Sequence, residues 1–282
     1  MKSCDVFPGS RRLIKGTVPP SSLLLIGPSG VGKTIFCKQF IYAGLLVSEP
    51  CIYVTTNESP EEIEKSMKTF GFDFEPNKDN KLFRIVDGCS WKLGGESSSK
   101  YVVDSQHDYL TSLSIEIKKA KQDLNNIRLV LDSVSELTSR CDHGAVLNFL
   151  QMLTARIRTE GGKAICTVAS GAHDEHFMNL LRLTGDGILE MKVDDSGKEF
   201  KRLLRIFSLR GAKHKTNWTP FEITDKGIVV KSETELRCAL CSKLIDWEPV
   251  TKIVDGKKYC FDTLDCANTY KKLKSIYGDS FE

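Results

Sequence analysis

The sequence predicts an α/β protein, a mainly parallel sheet covered by helices on both faces, followed by a small cysteine-bearing module. Three observations carry this expectation. From Ser22 to about Phe207, short continuous apolar runs alternate with amphipathic stretches, as strands buried on both faces and joined by helices do. Past Lys231 that alternation stops. Four of the ten cysteines then fall within the last 45 residues. A chain of 282 residues has room for one large domain and an appendage. We expect residues 1–231 to form the first and 232–282 the second.

Taken in order, Leu23-Leu24-Leu25-Ile26 reads as a strand, followed at once by a glycine-rich loop and a helix from about Lys33 to Leu46. Ile52-Tyr53-Val54 is the second strand. Ser59-Pro60-Glu61-Glu62 opens a helix with a serine N-cap, proline at the first helical position and acids in the first turn. Leu82 to Val86 is the third strand. Residues 87–105, rich in Gly and Ser, read as a long surface loop, with a helix after it to about Asp123. Leu129-Val130-Leu131 is a strand that ends in Asp132. Val146, Phe149, Leu150, Leu153 and Ile157 mark one face of a helix that Gly161-Gly162 stops. Ala164 to Val168 is the next strand, and strands dominate from Gly187 to Val230, as antiparallel additions to a sheet edge would.

The loop Gly27-Pro28-Ser29-Gly30-Val31-Gly32-Lys33-Thr34 sits between a strand and a helix, the context that a phosphate-binding P-loop requires. Its glycines let the backbone wrap an anion with successive N–H groups pointing inward. Lys33 adds positive charge at the β- and γ-phosphate oxygens, and the Thr34 hydroxyl can ligate Mg²⁺. Asp132, at the end of an apolar run, fits the Mg²⁺-associated carboxylate. Singly, the glycines could form an ordinary turn and Asp132 a helix N-cap. In this order they predict a site for ATP with Mg²⁺.

Three stretches carry a resemblance to the KaiC family of RecA-type ATPases. The first is the P-loop strand. The second is Tyr53-Val54-Thr55-Thr56-Asn57-Glu58-Ser59-Pro60-Glu61-Glu62-Ile63, similar to the family segment in which two adjacent glutamates precede Thr-Pro. The third is Leu209-Arg210-Gly211-Ala212-Lys213-His214, which resembles the family's Lys-Leu-Arg-Gly-Thr-Ser-His segment, with Pro220-Phe221-Glu222-Ile223 just after it. The resemblance implies a RecA-type P-loop fold and a ring, most often a hexamer, with nucleotide sites between subunits. It also implies that the first paired glutamate activates water. Here that position is Asn57, and only Glu58 keeps a carboxylate. An amide can position water but cannot take its proton, so slow hydrolysis is expected unless Glu58 substitutes. In the segment that a neighbouring subunit presents to the γ-phosphate, Ser208 replaces the family lysine while Arg210 is kept. His214 matches a family histidine; the alternative is that it only structures the turn.

In the terminal module, two residues separate Cys238 from Cys241, eighteen separate Cys241 from Cys260, and five separate Cys260 from Cys266. Two cysteine pairs so close together have the number and softness for tetrahedral zinc. Residues 253–259 read as a hairpin with Asp255-Gly256 at its tip, and Cys266 opens a helix from Ala267 to Ile276. Knuckle, hairpin and helix resemble a treble-clef zinc finger, somewhat like the TRASH-type modules, with a longer spacing in the second cysteine pair. So short a stretch has little core, and a metal would stabilise it. Cys4, Cys37, Cys51, Cys89, Cys141 and Cys166 are scattered singly and read as small core residues.

The net charge of +3 does not by itself argue for nucleic acid. Residues 231–282 carry nine basic against nine acidic side chains, so DNA is a possible partner there and a protein partner equally so. No apolar run approaches the length of a membrane span, and the N-terminus lacks the apolar region of a secretory signal, so we expect a cytoplasmic protein. Three functions compete: a KaiC-type regulatory ring, a RecA-like motor on DNA, and a nucleotide-independent zinc adaptor. The motor would need basic loops, and residues 91–101 offer only Lys92 and Lys100. Intact Lys33, Thr34 and Asp132 argue against the adaptor.

Overall fold

A computed structural model describes residues 6–19, 21–79, 81–92, 94, 97–104, 108–195, 200–231, 236–245 and 249–278. The chain begins with α1 (Ser10–Leu13), β1 (Ile14–Lys15), β2 (Ser21–Gly27), α2 (Lys33–Leu45), β3 (Cys51–Thr55), α3 (Pro60–Thr69), α4 (Glu75–Asp79) and β4 (Phe83–Asp87). It continues with β5 (Tyr101–Val102), α5 (Tyr109–Lys121), β6 (Arg128–Asp132), α6 (Val134–Thr138), α7 (His143–Thr159), β7 (Lys163–Ala169), α8 (Glu175–Arg182), β8 (Gly187–Asp194) and β9 (Lys201–Leu209). Last come β10 (Lys213–His214), β11 (Thr219–Thr224), β12 (Gly227–Val230), β13 (Val250–Val254), β14 (Lys257–Phe261) and α9 (Leu264–Tyr277).

Ten strands form one sheet in the order β12-β11-β9-β8-β2-β7-β6-β3-β4-β5. From β8 to β5 every pairing is parallel; β9, β11 and β12 extend the β8 edge antiparallel. The P-loop strand β2 lies inside this sheet, and its seven residues are all buried. Alternation along β2 explains its continuous apolar run. Leu23 and Leu25 enter the cluster that holds Phe36 and Phe40 of α2, while Leu24 and Ile26 enter the opposite cluster with Leu113 of α5 and Leu150 of α7. Each such side chain, fully buried, contributes about 1.5–3 kcal/mol.

Local chemistry sets the helix starts. Ser59 caps α3 through the Glu62 N–H, and the Glu62 carboxylate accepts from the Ser59 N–H, closing a capping box. Asp108 and Asp142 cap α5 and α7. The segment at 87–105 departs from a plain loop, because Tyr101–Val102 pairs with Val86–Asp87 as an edge strand. Asp87 organises the excursion by accepting from the N–H groups of Cys89 and Ser90. Apolar periodicity could not signal a two-residue strand.

Among the described residues, a third apolar cluster gathers Cys238, Ile245, Val254, Phe261, Ala267 and Tyr270. The β13–β14 hairpin turns at Asp255-Gly256, both with positive φ, as the Asp-Gly pair predicts. Helix α9 starts earlier than expected: Thr263 is its N-cap and accepts from the Cys266 N–H, placing Cys266 in the first turn. Of the scattered cysteines, Cys37, Cys51, Cys89 and Cys166 are buried and Cys141 is half-buried. Cys4 lies outside the described residues.

Candidate functional site

The carboxyl ends of β2, β7, β6 and β3 lie side by side, and the residues expected to bind nucleotide cluster there. Gly27 ends β2 where a Cβ would meet the Met191 carbonyl oxygen at 2.8 Å, so a side chain is excluded. Gly32, at φ 115°, turns the loop into α2. The loop from Gly27 to Thr34 therefore delivers the N-terminus of a 13-residue helix to the carboxyl end of the sheet. Lys33 Nζ donates to the Gly27 and Pro28 carbonyls at 2.7 and 2.8 Å, holding its charge over the loop. Burial pulls its ammonium below the ordinary lysine range, with the Asp132 charge opposing.

Asp132, buried at the end of β6, is the hub. Its Oδ2 accepts from Thr34 Oγ1 at 2.8 Å and from the Tyr53 hydroxyl at 2.9 Å, and its Oδ1 accepts from Thr167 Oγ1 at 2.6 Å. The Thr34–Asp132 contact joins the two residues assigned to Mg²⁺ from sequence. Hydroxyl and carboxylate oxygens are the donors a hard cation takes, so the set fits Mg²⁺. Tyr53 and Thr167 escaped the sequence reading; their signal was a polar group inside an apolar strand run. Burial, then the Asp132 charge, holds the Tyr53 phenol far above its usual range.

Beside Asp132, Thr55 of β3 faces it across the strands, and the Thr56 N–H donates to the Asp132 carbonyl at 2.8 Å. Asn57 follows, an exposed residue whose Nδ2 is 3.3 Å from Ser133 Oγ. Glu58 has its N–H on Thr55 Oγ1 at 3.1 Å, and its Oε2 accepts from Lys38 Nζ at 2.7 Å. Lys38 is one turn beyond Thr34 on α2 and is 1% exposed. Nothing in the sequence distinguished it from a surface lysine of an amphipathic helix.

Arg210 lies elsewhere. β9 runs antiparallel to β8, pairing Leu209 with Gly187, and Gly187 pairs with Leu23 near the start of β2. The exposed Arg210, with its N–H on the Asp186 carbonyl at 2.9 Å, thus sits at the end of the sheet opposite its own P-loop. His214 pairs with Ile14, and its Nδ1 is 2.9 Å from the Ala212 carbonyl oxygen, a turn-structuring position.

In the terminal unit, the ligand atoms of Cys238, Cys241 and Cys266 lie within 4.8 Å of one another, while Cys260 is outside that group. Burial would raise the Cys238 thiol; backbone N–H groups of Asp262, Cys241 and Leu240 pointing at its sulfur outweigh this and pull it down to about 7. Three soft sulfurs in mutual reach fit zinc.

Fold and nucleotide site define a P-loop ATPase of the RecA type. Residues 9–235 match the family described as "ATPase: KaiC". A UPF0273 protein of Pyrococcus horikoshii is 31% identical over 240 residues, covering 82% of this chain and 94% of that one. A UPF0273 protein of Thermotoga maritima is 32% identical over 234 residues, covering 79% and 93%. The crystal structure of a KaiC-like protein from P. horikoshii superposes with a TM-score of 0.63 at 26% identity, covering 82% of this chain and 98% of that one. The chain belongs to the KaiC family and is an ATP-binding ATPase. Among the described residues, no helix is long and apolar enough to cross a membrane.

Proposed function

We propose that the chain is a slow ATP-dependent switch, in which nucleotide state controls assembly into a ring and the binding of a protein partner. The observation that carries this is the state of the two residues to which the family resemblance assigns water activation. Asn57 has no carboxylate, and one oxygen of Glu58 is occupied by the buried Lys38 ammonium at 2.7 Å. Thr34 and Asp132 would hold Mg²⁺, which neutralises charge on the β- and γ-phosphate oxygens when bound. The P-loop N–H groups and Lys33 bind and orient those oxygens, and Asn57 can orient a water without deprotonating it. Arg210, remote from its own P-loop, would serve a neighbouring subunit in the proposed ring.

The switch reading is supported over a DNA motor by the 91–101 segment. Lys92 is already engaged by Glu136 and the Thr56 carbonyl, and Lys100 lies over the Tyr101 ring. Residues 232–282 are proposed as a zinc-binding unit with a structural and partner-binding role; four cysteines were expected as ligands, and three of them converge. Sizing the protein with and without ATP·Mg²⁺ while measuring phosphate release tests the main reading. A nucleotide-dependent oligomer with slow release supports it; brisk release from a monomer overturns it.

A further inference from the structure

We infer that the metal site of the C-terminal unit is completed by the Asp262 carboxylate, giving three sulfur ligands and one oxygen, and that Cys260 is not a ligand. This rests on the proposal above that the unit binds zinc. The first observation concerns β14. Tyr259 and Phe261 both meet Tyr270 of α9, with ring centroids 5.0 and 5.2 Å apart. Side chains alternate along a strand, so Cys260, between them, is directed to the face of the hairpin away from α9. Cys266 stands four residues before Tyr270, on the same side of α9 and therefore on the hairpin face that the Cys260 side chain leaves. This accounts for a sulfur cluster that includes Cys266 and omits Cys260; the Asp262 carboxylate, held on Lys243, also stands outside that cluster.

The second observation concerns the residue just past β14. The Asp262 N–H points at the Cys238 sulfur. Its neighbour Thr263 caps α9 by accepting from the Cys266 N–H at 3.1 Å. Asp262 is thus tied to Cys238 on one side and, through Thr263, to Cys266 on the other. Its carboxylate meets Lys243 Nζ at 3.0 Å, and that lysine side chain is 66% exposed. An exposed ion pair of this kind holds weakly, so one carboxylate oxygen can turn to a divalent cation while Lys243 stays beside it. Three thiolates and a carboxylate exceed the charge of a divalent ion, and Lys243 would offset part of the surplus. Carboxylate oxygen is an accepted fourth ligand for zinc, and a closed set of four gives a structural site.

The test uses full-length protein, stripped of metal and loaded with Co²⁺ alone, read by its thiolate-to-metal charge-transfer and d–d absorption. One Co²⁺ per chain with a three-thiolate spectrum is expected. Cys260→Ser should leave that spectrum and the affinity in chelator competition unchanged. Asp262→Asn should shift the d–d bands and lower affinity at least about tenfold, as losses around a metal site do. A four-thiolate spectrum that Cys260→Ser reduces overturns the inference and leaves the zinc unit standing. An unchanged spectrum in Asp262→Asn also overturns it, with water then the fourth ligand. Failure to bind Co²⁺ overturns both the inference and the zinc reading.

Discussion

Lys38 and Glu58 form an ion pair of 2.7 Å in which the lysine side chain is 2% exposed and the glutamate 37%. The asymmetry decides what each partner does for the other. Glu58 can exchange Lys38 for water, whereas Lys38 has no such recourse. Replacing Glu58 by alanine should therefore destabilise the fold by about 3 kcal/mol, the low end for breaking a buried pair, because one partner is partly solvated. Lys38→Met keeps the stem and removes the charge, and should cost about 1 kcal/mol or less. Urea denaturation of the two variants checks the order; equal losses would mean that the pair is not the anchor.

The same pair bears on rate. General-base help is worth on the order of 10²–10⁴-fold and acts in the transition state. Asn57→Glu should raise kcat while leaving ATP affinity nearly constant, and Glu58→Gln should suppress the hydrolysis that remains. Steady-state phosphate release with a parallel binding titration separates the two effects. Brisk natural turnover, indifferent to Asn57→Glu and abolished by Glu58→Gln, would make Glu58 the working base.

Lys33→Ala removes a site charge and no core volume. It should abolish measurable ATP binding in a calorimetric titration while the far-ultraviolet circular dichroism stays unchanged. Undiminished affinity would refute the phosphate-site assignment.

Purified untagged protein should carry about one zinc per chain. Removing it should unfold the hairpin and α9 while the main sheet survives, since metal and fold are coupled in so small a unit. Elemental analysis and hydrogen exchange before and after chelation provide the measurement; a metal-free yet protected α9 would refute the unit's dependence on zinc.

What could be read from sequence follows from how local each signal is. The P-loop, the Ser59 capping box and the Asp255-Gly256 turn are encoded within a few consecutive residues, and each has the geometry expected of it. Asp132 stood out as a carboxylate ending an apolar run, and it meets Thr34, the other residue singled out with it. Lys38 did not stand out, since it is paired with Glu58, twenty residues away in the loop between β3 and α3. Spacing counts four cysteines but does not say which face of a strand Cys260 takes; that depends on where Tyr270 packs. The antiparallel return of β9 was anticipated as a sheet-edge addition. Its effect on Arg210 required the register.

That register has a kinetic consequence. β9 returns Arg210 to the end of the sheet opposite Gly27, so in the ring proposed above one chain in isolation would own every part of the nucleotide site except that cation. Catalytic competence would then be a property of neighbours rather than of molecules. Specific activity should climb with protein concentration, and mixing Lys33→Ala chains with Arg210→Ala chains should restore turnover that neither has alone, at the junctions where an intact P-loop meets an intact arginine.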